Sequence, residues 1–180
     1  MEPLIVCYSH SGNNRRLAAR LKGRLRCELL HIDERRKRKT LSILLDFFFK
    51  RNVRLSDYRF TGRKHDVLVL VAPIWGGKLA APMREFVGKE RDNIHKYLLI
   101  TLCNGVEGQK EKLEAELSSI VRKEPLGTTE LWVNRLLPED KRNKVKHTFN
   151  YRVDDSDLDR FEAELDAFVC LIDEARGSAR

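Results

Sequence analysis

Short apolar segments typical of buried strands alternate along this chain with segments whose apolar residues recur every three or four positions. This alternation predicts right-handed crossovers and a parallel sheet with helices on both faces, here as a single domain over residues 1–180. The segment 67–72 is nearly all Val and Leu, as expected for a parallel strand covered on both faces. The predicted strands lie at about 4–8, 28–32, 67–72, 97–102 and 130–133. The predicted helices lie at about 13–25, 40–49, 79–87, 113–121 and 158–172.

Residues 9–14, the first loop, connect the first predicted strand to the first predicted helix and read Ser-His-Ser-Gly-Asn-Asn. At a helix start the first backbone N–H groups lack partners, and the helix dipole favours an anion. Gly12 lets the backbone approach a phosphate, and the neighbouring hydroxyl and amide side chains can donate hydrogen bonds. The same residue types are ordinary turn and N-cap residues, so the loop alone leaves phosphate binding and simple capping open. The absence of G-x-G-x-x-G and of a P-loop Lys disfavours a dinucleotide or a nucleoside triphosphate.

Two further loops are expected at the same edge of the sheet, because ligands of such sheets bind beyond the carboxyl ends of the strands. They are the second loop, 73–78, and the third loop, 103–108. Trp75, next to two glycines, can offer an aromatic face to a planar ligand, or can pack over the sheet edge. Together the first and second loops predict a ligand with a phosphate at one end and an aromatic ring at the other.

These loops resemble those of the flavodoxin-like family of FMN-binding proteins. The family's phosphate loop reads Ser/Thr-x-Ser/Thr-Gly-Asn-Thr, and residues 9–14 match every specified position but the last. The family's second loop often carries Trp-Gly, and the form Pro73-Ile74-Trp75, followed by Ala81-Pro82, is similar to short-chain flavodoxin-like oxidoreductases. The resemblance covers about residues 3–133. It implies a flavodoxin-like three-layer α/β/α fold, a five-stranded parallel sheet of order 2-1-3-4-5 and bound FMN.

The resemblance also implies which residues hold FMN. They are Ser9, His10, Ser11, Gly12, Asn13, Asn14, Pro73, Ile74, Trp75, Gly76, Gly77, Cys103, Asn104 and Gly105. The third loop lacks the aromatic residue that many flavodoxins stack on the outer flavin face, although Asn104 and Gly105 can offer contacts to the ring edge. A lone His in a turn usually faces solvent, so His10 is assigned no catalytic role, and no other catalytic residue is identified.

Composition and cysteine usage limit the class of protein. Hydrophobic residues make up 42% and charged residues 34% of the 180 positions, which predicts a soluble globular protein. No apolar run approaches the roughly 20 residues of a membrane span. The four cysteines show no metal-binding spacing. We expect them to be buried free thiols, Cys170 included, and the protein to be cytoplasmic.

The chain is basic, with a net charge of +8 and its densest basic run at residues 35–39. Few aromatic residues accompany the basic ones and no nucleic-acid-binding motif is present, so we predict no nucleic-acid partner. An acidic partner or an anionic cofactor fits the charge equally well. The apolar cluster 41–49 has the position of a crossover helix, and its apolar residues cover more than one face, which leaves a homodimer contact open.

Two functional interpretations follow from the resemblance. In the first, the protein is an FMN-dependent oxidoreductase that uses NAD(P)H or a redox carrier and acts on quinones or similar small acceptors. In the second, it is a non-enzymatic flavodoxin-type electron carrier or a flavin-binding module with a protein redox partner. In an electron carrier, acidic surroundings and stacked aromatic residues make the anionic, fully reduced flavin costly. A basic protein without the outer aromatic residue is expected to do the opposite, which favours two-electron transfer. The open outer face also leaves room for a substrate, and both points support the first interpretation.

Overall fold

A central sheet of five parallel strands is the main element of the computed structural model, which describes residues 2–35, 53–60 and 65–177. The strands are β1 (Leu4–Cys7), β2 (Glu28–His31), β3 (Leu68–Val71), β4 (Ile74–Trp75), β5 (Lys78–Leu79), β6 (Tyr97–Cys103) and β7 (Thr128–Trp132). The sheet has the order β2-β1-β3-β6-β7, and β4 and β5 form a separate antiparallel hairpin. Without the hairpin this is the order 2-1-3-4-5 predicted from the resemblance, which is confirmed.

Helices cover both faces of the sheet, so the predicted three-layer α/β/α architecture is confirmed. The helices are α1 (Asn13–Leu25), α2 (Ala81–Glu90), α3 (Gln109–Val121), α4 (Val145–Asn150), α5 (Asp155–Asp159) and α6 (Glu162–Gly177). One layer packs on the sheet through α1 and α6, and the other through α2 and α3. Within β1, Leu4 and Val6 face the second layer, whereas Ile5 and Cys7 face the first. None of the helices in the described ranges is long and apolar enough to cross a membrane.

The structure differs from the sequence prediction at the carboxyl end of the chain. The single helix predicted at 158–172 is two helices, α5 and α6, separated by a turn at Arg160 and Phe161. Leu158 and Phe161 are both buried in the same cluster, so the apolar spacing continues across the turn and does not reveal it. Cys170 was expected to be buried but is exposed on α6, whereas Cys7, Cys27 and Cys103 are buried. The predicted helix at 40–49 and residues 36–39 of the basic run lie outside the described residues.

Candidate functional site

The first loop leaves the start of α1 open. Gly12 adopts a left-handed conformation with φ 96°, and its N–H donates to Ser9 Oγ at 3.1 Å. The first helical hydrogen bond runs from Arg16 N to Gly12 O at 3.0 Å, and no side chain in the described ranges caps the helix. Among the described residues, the N–H groups of Asn13, Asn14 and Arg15 therefore have no partner, and their partial positive charge makes this end of α1 suitable for an anion.

The side chains of Asn13 and Asn14 do not belong to this open end, which differs from the expectation that both donate to a phosphate. Asn13 donates to the Tyr151 carbonyl at 2.9 Å and accepts from the Val153 N–H at 3.2 Å. Asn14 makes the same kind of paired contact with the backbone of Leu102 in β6. Both amides thus fasten the loop to neighbouring segments, while their backbone N–H groups remain for a ligand.

A cleft of about 400 Å³ opens beside the first loop, near the lower limit of the size usual for small-molecule sites. Its residues come from the end of β1, the first loop, the first turn of α1 and the end of β2. They are Tyr8, Ser9, His10, Ser11, Gly12, Arg15, Asp33 and Glu34. The residues predicted to hold the ligand did not include four of these lining residues, Tyr8, Arg15, Asp33 and Glu34. A signal for the last two was available, since they directly follow the predicted strand 28–32, the neighbour of the first strand in the predicted order.

The second loop does not line this cleft, but it places Trp75 beside two residues that do. Its ring lies edge-on to Tyr8 and His10, with ring centroids 5.9 and 6.0 Å apart. The loop is a tight hairpin, which was not predicted, and Gly76 and Gly77 take positive φ angles of 57° and 74° at its turn. Trp75 and Ile74 also pack against the core on the side of α2 and α3, as do other half-buried apolar residues there. Trp75 thus packs over the sheet edge, as one of the two sequence interpretations predicts. It does not line the cleft itself but contacts two residues that do, and its role as an aromatic face for a planar ligand stays a prediction.

Glu116 on α3 fixes the position of the hairpin. Its carboxylate accepts from the Leu79 N–H at 2.8 Å and lies 3.4 Å from the Arg84 guanidinium. The hairpin closes through the Ala80 N–H, which donates to the Pro73 carbonyl at 3.0 Å. The second loop is therefore held at both ends by defined hydrogen bonds.

The third loop is packed against the end of β7. Gly105 has φ 87°, and a Cβ at this position would lie 2.6 Å from the Trp132 indole. Burial raises the pKa of the Cys103 thiol to about 12, with a smaller contribution from the Glu130 carboxylate, so this thiol stays neutral at physiological pH. Asn104 Oδ1 is buried and has no hydrogen-bond partner among the described residues. A buried acceptor without a partner is costly, and a ligand N–H at this edge would satisfy it.

The long segment that follows β7 packs along α1. Arg20 pairs with Asp159 at 2.9 Å and with Glu162 at 3.2 Å, and Arg24 pairs with Glu162 and with Asp166. Together with the contacts of Asn13, these ion pairs tie the carboxyl-terminal helices to α1 from the first loop onward.

No protein-family model matches this sequence, and no curated protein is similar enough to match it. Solved flavoprotein structures match the fold. A flavoprotein from Bacteroides eggerthii has a TM-score of 0.62 at 13% identity, covering 74% of this chain and 89% of its own. A flavoprotein from Lactobacillus acidophilus in complex with FMN has a TM-score of 0.60 at 13% identity, covering 72% and 92%. The similarity and the strand order confirm the flavodoxin-like fold.

Proposed function

We propose that this protein binds FMN and is a flavin-dependent oxidoreductase that takes electrons from NAD(P)H or a redox carrier and reduces quinones or similar small acceptors. One observation carries the proposal. The open start of α1, the ring of Trp75 and the unpartnered Asn104 Oδ1 all lie on loops at the carboxyl edge of the sheet. A phosphate, an aromatic ring and a ring N–H are the three groups that these features suit, and FMN carries all three.

The phosphate end of FMN fits the first loop. The backbone N–H groups of Asn13, Asn14 and Arg15 offer donors to an anion. The Ser9 hydroxyl accepts from the Gly12 N–H, so its own hydrogen remains free to donate, and Ser11 lines the same cleft. A Cβ on Gly12 would meet no atom of the described residues within 4 Å, so the positive φ angle rather than crowding is the reason for glycine.

The isoalloxazine end fits the second and third loops. Trp75 offers an aromatic face, and the peptide groups around Gly76 and Gly77 offer donors and acceptors. Asn104 Oδ1 would accept from a ring N–H, and the neutral Cys103 thiol adds no charge beside the ring. The bound flavin supplies the hydride and electron chemistry, while these residues hold and orient it.

The third loop supports an oxidoreductase rather than a carrier. It contains no aromatic residue, and its one large apolar side chain, Val106, is 53% exposed. A flat acceptor such as a quinone therefore has room to approach the outer face of the ring. The net charge of +8 does not extend to the cleft, which combines Arg15 with Asp33 and Glu34 and is not itself basic.

The experiment is a turnover assay with the FMN-loaded protein. We expect NADH or NADPH oxidation to depend on the protein, on FMN and on an added benzoquinone or naphthoquinone, with free FMN at the same concentration as the control. FMN binding without turnover, combined with electron transfer to a protein acceptor, would contradict the proposed enzymatic function and support the role of an electron carrier. Absence of FMN binding would contradict the whole proposal.

A further inference from the structure

Two adjacent arginines in the first turn of α1 are held on different sides of the helix. Arg15 lies 3.4 Å from the Asp33 carboxylate at the end of β2. Arg16 lies 3.4 Å from the Asp155 carboxylate at the start of α5. The two ion pairs have the same length, and the arginine side chains are similarly exposed, at 54% and 47%. A cation in the first turn of a helix opposes the helix dipole, so each arginine needs a compensating partner.

Only Arg15 belongs to the cleft. It lines the cleft together with Ser9, Ser11 and Gly12, whereas Arg16 is not among the lining residues. Farther along α1, Arg20 and Arg24 also pair with the carboxyl-terminal helices, on the side of Arg16. Arg15 is therefore the α1 arginine that shares a cavity with the serines and the open helix end.

The pair between Arg15 and Asp33 leaves the guanidinium available. Among the described residues the guanidinium has this one contact, whose 3.4 Å is long for a charge-assisted hydrogen bond, and more than half of each side chain is exposed. Exposed pairs of this kind contribute little to stability. An arginine also has several N–H donors in a planar arrangement that matches phosphate oxygens, so most of its donors are uncommitted here.

We infer that Arg15 selects ligands that carry a phosphate dianion, and that Asp33 competes with that phosphate for the Arg15 guanidinium. This inference rests on the proposed FMN site and deepens it. A phosphate at the open end of α1 pairs with Arg15 and removes the unfavourable effect of a cation in the first turn. Asp33 weakens phosphate binding in two ways, because it holds one nitrogen of the Arg15 guanidinium in the free protein and repels the phosphate across the cleft.

The experiment compares FMN and riboflavin titrations of the full chain over a series of KCl concentrations. The variants are Arg15→Gln, Asp33→Asn, the double variant, and Arg16→Gln as the matched control. We expect Arg15→Gln to weaken FMN binding about tenfold, as for a partly exposed charge-assisted contact, and to flatten its salt dependence. Riboflavin affinity stays unchanged, and Arg16→Gln behaves like the unmodified protein.

The Asp33 variant tests the competition. Asp33→Asn is expected to tighten FMN binding about threefold, with a smaller gain when Arg15 is already Gln. Equal effects of Arg15→Gln and Arg16→Gln on FMN affinity would overturn the inference, as would an equal gain from Asp33→Asn in both backgrounds. Either result with FMN still preferred over riboflavin leaves the proposed FMN site intact, whereas no FMN binding by the unmodified protein would contradict the proposed function itself.

Discussion

The carboxamide of Asn14 satisfies both backbone groups of Leu102. Its Oδ1 accepts from the Leu102 N–H at 3.0 Å, and its Nδ2 donates to the Leu102 carbonyl at 3.2 Å. Asn14 is 2% exposed, so these bonds form away from water. The pair joins the start of α1 to the strand that leads into the third loop. A threonine, which the flavodoxin-like motif has at this position, offers a single hydroxyl in place of the two polar side-chain atoms of the carboxamide.

Asn14→Ala is expected to lower the free energy of unfolding by about 2–4 kcal/mol, because two buried backbone groups lose their partners. Urea denaturation followed by circular dichroism measures this change. Asn150→Ala is the control, since the Asn150 amide donates to Lys146 O at an exposed position and its loss is expected to cost less than about 0.5 kcal/mol. Equal stability of the two variants would show that the Asn14 contacts are not the connection described here.

Gly105 and Gly108 form a second matched pair. Both have positive φ angles, 87° and 68°, but a Cβ on Gly105 would lie 2.6 Å from the Trp132 indole, whereas a Cβ on Gly108 would meet nothing within 4 Å. Each replacement by Ala is expected to cost about 1–2 kcal/mol for the left-handed conformation. Gly105→Ala should cost a further 1–3 kcal/mol or so for the clash. Thermal and urea unfolding compare the two variants, and a Gly108→Ala loss as large as that of Gly105→Ala would argue against close packing of Trp132 on the third loop.

The cysteines predict a specific pattern of thiol labelling. Cys170 is exposed, whereas burial raises the pKa of the Cys7 thiol and of the Cys103 thiol to about 12. We expect an aromatic disulfide reagent at pH 8 to modify one thiol rapidly in the folded protein and all four after denaturation. Cys170→Ser should abolish the rapid phase, and a rapid phase that persists would contradict the burial of the other three.

The buried thiols of Cys7 and Cys103 make the free energy of unfolding depend on pH. The unfolded chain releases their protons near the ordinary pKa of 9.0, while the folded protein retains them until about pH 12. The folded state then binds more protons than the unfolded state, so the free energy of unfolding falls as the pH rises above about 9. Replacing Cys7 by Ala should reduce this slope between pH 9 and pH 10.5 or so in urea titrations, and an unchanged slope would contradict a raised pKa for Cys7.

Trp75 is expected to report flavin binding through its fluorescence. If the isoalloxazine ring lies against this side chain, Trp75→Ala should weaken FMN binding several-fold, given that aromatic pairs contribute about 0.5–1.5 kcal/mol beyond burial. Quenching of tryptophan fluorescence by FMN should be largely lost in Trp75→Ala and retained in Trp132→Phe. The reverse pattern would place the ring next to Trp132 instead.

Much of the fold could be predicted from the sequence because its signals are local. The run of Val and Leu in β3 and the four-residue spacing of Leu17, Leu21 and Leu25 each determine an element without reference to distant residues. The predicted bounds of α1 agree with the structure, Asn13–Leu25. The division between α5 and α6 could not be predicted, because Leu158 and Phe161 keep the apolar spacing while Asp154 caps a separate short helix.

The site was less predictable, because its details depend on contacts between distant positions. The sequence places Asn13 and Asn14 in the first loop, but their partners, Tyr151 and Leu102, lie far along the chain. Arg15 and Arg16 likewise have different partners, Asp33 after β2 and Asp155 at the start of α5, and neither partner is close in the sequence. Trp75 was identified from its position after a strand, yet its contacts with Tyr8 and His10 required the sheet to be assembled.

The measurement that tests the central proposal most directly is a titration of the purified protein with FMN and, in parallel, with riboflavin, followed by flavin absorption and by calorimetry. We predict one FMN site per chain and an affinity for FMN at least about a hundredfold higher than for riboflavin, as expected when several charge-assisted hydrogen bonds hold the phosphate. Equal affinities for the two flavins, or no saturable binding of FMN, would contradict the assignment of the first loop and the adjacent cleft to a flavin phosphate.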